Sequence, residues 1–129
     1  MLQPVHAGRR AEKSGGRFAL VAAEYHDRNV GGMLRAARAE LKRAGVNEIK
    51  VWRVPGAFEV PVVAGTLARQ HPRWDAVICL GVIMQGQTSH AQHIGEAVTA
   101  GSTEIAVRTG VPMIHEVLVF TNEEQARVR

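Results

Sequence analysis

Apolar residues along the chain fall alternately into short unbroken runs and into helical periodicity. Phe18-Ala19-Leu20-Val21-Ala22-Ala23 is such a run, the pattern of a strand buried on both faces. Over residues 29–44, Val30, Met33, Leu34, Ala37, Leu41 and Ala44 recur at helical spacing with charged residues between them. They predict a helix, with Gly45 at its C-terminal cap. Ile49-Lys50-Val51-Trp52-Arg53-Val54 alternates and is rich in β-branched residues, so it reads as a strand, and Pro55-Gly56 breaks it. A second helix runs through Val62, Val63, Leu67 and Ala68, with Pro61 confined to its first turn. Ala76 to Ile83 is apolar throughout and predicts a central parallel strand. The polar stretch 84–89 leads into a third helix, whose apolar face is Ile94, Ala97, Val98, Ile105 and Ala106. Ser89 with Gln92 has capping-box spacing at its start, and Gly110 ends it. Pro112 to Leu118 predicts a fourth strand. Thr121 and Glu124 form a second capping box, opening a last helix that is cut off at Arg129.

Strands alternating with helices imply parallel pairing, because parallel strands need crossovers. Right-handed crossovers place helices on both faces of one four-stranded sheet, an α/β architecture of three layers. Residues 1–16, with Gly8, Ser14, Gly15 and Gly16 among charges and no periodicity, read as a flexible N-terminal segment. Residues 17–129 read as a single domain. A hydrophobic fraction of 46% is enough to fill a core. The single cysteine, Cys79, excludes an intrachain disulfide and fits a reducing, cytoplasmic compartment. No apolar run reaches membrane-helix length, so no membrane partner is expected.

The net charge of +4 and a pI near 10.0 raise the question of an anionic partner. Nucleic acid fits poorly. The basic residues are spread out, and the chain holds only three Phe, two Trp and one Tyr to interleave with them. An anionic small molecule fits the same charge.

Ligands of open parallel sheets bind beyond the carboxyl ends of the strands. Four segments lie there: 24–27, 55–59, 85–90 and 119–121. Gly86 permits close backbone approach, and Gln87, Thr88 and Ser89 add amides and hydroxyls, so this stretch has the groups to cradle a phosphate. An ordinary strand-to-helix turn accounts for the same residues. His90 follows directly, and an imidazole moves protons near neutral pH, although a polar surface histidine is the plainer alternative. His93 lies three residues on, but nothing nearby completes a ligand set, and no metal site is expected. Tyr25 and Phe58 stand at two neighbouring strand ends. They are either packing residues or a flat wall for a heteroaromatic ring. Cys79 reads as a small buried hydrophobe, and His115, mid-strand, as a satisfied core histidine.

Three stretches together resemble the lumazine synthase family. They are Val54-Pro55-Gly56-Ala57-Phe58-Glu59-Val60-Pro61; Leu80-Gly81-Val82-Ile83 followed by Gly86, Thr88 and His90; and Pro112 to Leu118 followed by Thr121, Glu124, Gln125 and Ala126. The resemblance covers about residues 17–129. It implies a flavodoxin-like αβα fold and a transferase of riboflavin biosynthesis. Such an enzyme condenses 5-amino-6-(D-ribitylamino)uracil with 3,4-dihydroxy-2-butanone 4-phosphate to 6,7-dimethyl-8-ribityllumazine, through imine formation, phosphate elimination and ring closure, without metal or organic cofactor. It further implies roles by position. Tyr25, Ala57, Phe58, Glu59, Val82, Ile83 and His115 match contacts to the pyrimidine and ribityl chain. Gly86, Gln87, Thr88 and Arg129 match phosphate contacts, and His90 matches the proton-transfer residue. Members of the family are homo-oligomers of pentamers, as single pentamers, decamers or 60-subunit icosahedral shells, with sites between subunits. His115 and Arg129 would then come from one chain and the other motifs from its neighbour.

The chain departs from the family pattern at several positions. Gln85 stands where an arginine is usual, Ala91-Gln92-His93 replaces a Phe-Asp-Tyr-like run, and His115 replaces a phenylalanine. The family's C-terminal helix also continues well past the position of Arg129. These departures keep open a second reading, a homologue that binds flavin or lumazine without catalysis or only forms a shell.

Overall fold

The computed structural model describes residues 15–129. Most of the N-terminal segment expected to be flexible, residues 1–14, lies outside them. Gly16 does not, and its carbonyl accepts the N–H groups of Asn47 and Glu48 at 3.1 Å.

The four strands are β1 (Arg17–Ala23), β2 (Glu48–Val54), β3 (Ala76–Met84) and β4 (Met113–Phe120). They form one all-parallel sheet in the order β2-β1-β3-β4. Trp52, Val21, Cys79 and His115 lie side by side across it in register. The helices are α1 (Asp27–Arg43), α2 (Val60–Ala68), α3 (His90–Thr109) and α4 (Glu123–Val128), with a 3-10 turn over Ala57–Glu59 before α2. The observed architecture is the three-layer α/β arrangement expected from the sequence.

Alternation along the strands sends side chains to two separate cores. Ala19, Val21, Val77, Cys79 and Val117 join Val60, Ala64, Val98 and Ile105 of α2 and α3 on one face. Leu20, Ala22, Leu80 and Val82 meet Val30 of α1 and Phe120 on the other, with Ala126 of α4 packed alongside. Because β1 and β3 are covered on both faces, they read as continuous apolar runs. The edge strand β4 instead carries His115 and Glu116 mid-strand and leaves Ile114, Glu116 and Val119 exposed. At the foot of the sheet the Arg17 guanidinium pairs with Glu48 and lies 4.1 Å over the ring of the buried Trp74. Among the described residues no helix is long and apolar enough to cross a membrane.

Element boundaries move by one to two residues, and two expected caps are corrected. The Ser89 side chain makes no capping bond. The α3 start is bounded instead by the Thr88 hydroxyl, which accepts the His90 N–H at 3.3 Å, while Gln92 reaches forward to Glu96. At α4 the cap is Asn122, not Thr121. Asn122 Oδ1 accepts the Gln125 N–H at 2.9 Å, and Gln125 Oε1 in return accepts the N–H and hydroxyl of Thr121. The reciprocal arrangement survives one position further on, because Asn is as good a cap as Thr. Gly45 and Gly110 both adopt positive φ just past the ends of α1 and α3, as expected at a helix C-terminus.

Candidate active site

The connection after β1 enters α1 on one face of the sheet, and the connection after β3 enters α3 on the other. Two neighbouring strands whose connections diverge in this way leave a crevice at their carboxyl ends. A cleft of about 740 Å³ occupies that place, within the size range of small-molecule sites.

Four pieces of chain build it. Tyr25 and His26 come from the β1–α1 turn, Gly56 to Glu59 from the turn after β2, Val82 to Met84 from the end of β3, and His90, Ala91, His93 and Ile94 from the first turns of α3. The turn after β2 is held by its own residues. The Glu59 carboxylate accepts the Gly56 N–H at 3.0 Å, while the Gly56 carbonyl accepts the Glu59 N–H at 3.2 Å. That lock presents Phe58 outward at 60% exposure, beside a Tyr25 that is 70% exposed. Two aromatic rings left this open at one cleft leave flat surface for a planar ligand.

The β1–α1 turn is pinned from the side of β2. Glu24 N–H donates to the Val54 carbonyl at 2.7 Å and Tyr25 N–H to the Pro55 carbonyl at 3.0 Å. The Arg53 guanidinium bridges the Ala23 carbonyl and the Asp27 carboxylate, at 3.1 and 2.8 Å. Val82 and Ile83 close the floor because β3 runs further than β1 past the sheet centre.

Seven of the residues singled out from the sequence therefore meet at one cleft: Tyr25, Ala57, Phe58, Glu59, Val82, Ile83 and His90. Gly86, Gln87 and Thr88 are exposed in the connection leading to His90. A Cβ placed on Gly86 meets nothing within 4 Å, so the chain's own packing does not demand glycine there. Two residues are not brought to the cleft. His115 sits on the edge strand, its Nε2 2.9 Å from the Thr99 hydroxyl of α3, and Arg129 lies at the end of α4 beside the α1 face of the sheet. The cleft also takes in His26, Met84, His93 and Ile94, none of which was singled out from the sequence as a substrate contact. His93 carried a usable signal, because residues three apart on a helix share a face with one another. His26 carried none beyond its place next to Tyr25.

The sequence profile of the 6,7-dimethyl-8-ribityllumazine synthase family matches residues 15–129. The chain belongs to that family. Three relatives, each named 6,7-dimethyl-8-ribityllumazine synthase, place it within the lumazine synthases. The protein from Pseudarthrobacter chlorophenolicus is 46% identical over 115 residues, 89% of this chain and 70% of the relative. That from Kineococcus radiotolerans is 48% identical over 113 residues, 88% and 69% respectively. That from Renibacterium salmoninarum is 42% identical over 107 residues, 83% of this chain and 65% of the relative. The chain thus spans about two thirds to seven tenths of the length of the lumazine synthases it matches.

Proposed function

We propose that this chain forms 6,7-dimethyl-8-ribityllumazine from 5-amino-6-(D-ribitylamino)uracil and 3,4-dihydroxy-2-butanone 4-phosphate, as a cofactor-independent transferase of the cytoplasm. The observation that carries the proposal is the convergence of Tyr25, Phe58, Glu59 and His90, from three separate connections, on one cleft in a chain of this family.

The pyrimidine ring lies between the Tyr25 and Phe58 rings, over Val82 and Ile83. Glu59 accepts a hydroxyl hydrogen bond of the ribityl chain at Oε1, since its turn engages Oε2. Gly86, Gln87 and Thr88 take the phosphate through backbone N–H groups and the Thr88 hydroxyl. His90 then stands between ring and phosphate, where it moves the proton during imine formation and phosphate loss. Most of the acceleration comes from holding two reactants in register, which suits a site of rigid strand ends.

His115 and Arg129 are too far round the fold to serve this cleft, so a second copy of the chain supplies them. Support comes from their place on the edge strand and on α4, and from the large exposed surfaces of Tyr25 and Phe58. The assembly is built from pentamers.

The test is incubation of the purified protein with both substrates, following the lumazine by absorbance and fluorescence. Steady formation above the uncatalysed background is expected. Binding of the lumazine without turnover would instead point to a non-catalytic homologue. Mixed oligomers of His90→Ala and Arg129→Ala chains should recover part of the activity, and failure to recover any removes the shared site.

A further inference from the structure

His26 is the non-glycine residue with positive φ among the described residues, at φ 59° and ψ 46°. The left-handed region costs an L-residue free energy and persists where the surroundings over-determine the backbone. They do so here. The turn is tethered to β2 at Glu24 and Asp27 and to Pro55 just beyond it at Tyr25, and the His26 carbonyl accepts the N–H groups of Asn29 and Val30 at 3.0 Å each, opening α1. The backbone of the turn is therefore rigid. Within its own chain the phenol ring of Tyr25 is not held by packing, since that residue is 70% exposed. Its ring contact is with the half-buried imidazole of His26, centroids 4.5 Å apart at 70°, edge to face.

The residue types that tolerate a left-handed backbone are few: Gly, Asn, Asp and His. Histidine alone among them carries a ring. A position that must turn the chain and also brace an aromatic neighbour has one natural solution, and this chain uses it. We infer that His26 is a positioning residue, whose imidazole fixes the Tyr25 ring in the orientation that walls the cleft. The inference rests on the reading of the cleft as the site of the pyrimidine ring, and it accounts for how an exposed tyrosine is ordered before that ring arrives. An aromatic already in place loses less freedom on binding than a mobile one.

His26→Asn is the decisive variant, because Asn keeps the left-handed backbone and removes the ring. Tyr25 is the only tyrosine in the chain, so labelled tyrosine reports on this ring alone by NMR. In the full chain the ring resonances should stand away from free-tyrosine values, and His26→Asn should move them back. The thermal midpoint should be no lower. The dissociation constant for 6,7-dimethyl-8-ribityllumazine, read from its fluorescence, should rise about three- to tenfold, the worth of one aromatic pair. His26→Phe keeps a ring on the tethered turn but strains its left-handed backbone, so it should recover the displaced resonances and most of the affinity at a lower thermal midpoint. Unchanged resonances in His26→Asn overturn the inference. So do shifted resonances with unchanged affinity. A parent protein that fails to bind the lumazine overturns the functional reading instead, while the NMR comparison still decides whether His26 orders the ring.

Discussion

Phe58→Ala separates what a cleft residue does for the fold from what it does for the ligand. Burying a whole Phe side chain is worth about 1.5–3 kcal/mol. Phe58 remains 60% exposed, so the fold gains only about two fifths of that. The expected loss of unfolding free energy is about 1 kcal/mol. The exposed part of the ring is available to a ligand. One face covered by a pyrimidine contributes about 1 kcal/mol from area and about another 1 kcal/mol from stacking. Losing about 2 kcal/mol weakens binding roughly 30-fold. Urea unfolding gives the first quantity, through a lower midpoint at unchanged slope. Fluorescence titration with the lumazine gives the second. A variant that unfolds at low urea would mean Phe58 is a core residue. One that binds within twofold of the parent would mean its ring does not face the ligand. Either result refutes the division of roles.

Leu20, fully buried at the centre of the sheet between Val51 and Ile78, should behave oppositely. Leu20→Ala is expected to cost about 3–4 kcal/mol, and a loss below about 1.5 kcal/mol by urea unfolding would show that the α1 face collapses around the gap. Burial pushes the Cys79 thiol from 9.0 up to about 12, so it stays protonated and unreactive in the folded chain. Alkylation at pH 8 should follow unfolding, and rapid labelling of the native protein would contradict this burial. Because the folded value is the raised one, the contribution is complete below about pH 9 and declines as pH climbs from there towards 12. Cys79→Ala should flatten that alkaline slope. The hydrogen bond from Arg17, with a second from Lys50, holds the Glu48 carboxyl below its usual range. Its contribution is therefore present above the ordinary carboxylate value and is lost as pH falls through the lower folded one. Glu48→Gln should shrink the acid limb of the stability profile, and an unaltered limb would assign acid sensitivity to other carboxylates.

Much of this molecule could be read before any fold was known. The unbroken apolar runs at 18–23 and 76–83 mark strands covered on both sides, and that alone requires helices on two faces. Gly45 and Gly110 punctuate their helices because positive φ is nearly free only for glycine. Local chemistry of this kind acts over a few residues and is written in them. The motifs around Phe58 and His90 were also legible, since a short turn keeps its residue types wherever it is placed. Caps were legible only to within a residue. Ser89 and Thr121 have the right spacing, but Thr88 and Asn122 make the bonds, because competing acceptors one position apart are chosen by how the chain enters the helix.

What tertiary structure alone decided is which of these pieces share a space. Strand order put the connections after β1, β2 and β3 around one cleft and left β4 at the edge. His115 is therefore directed to Thr99, and Arg129 to the far face, away from the cleft that Tyr25, Phe58 and His90 share. No local pattern encodes strand order, which depends on which long-range pairings bury the most apolar surface. The strain at His26 escaped the sequence for the same reason. A histidine shows its left-handed turn only once bonds from Arg53, Val54 and Pro55 and the contact with Tyr25 hold it there.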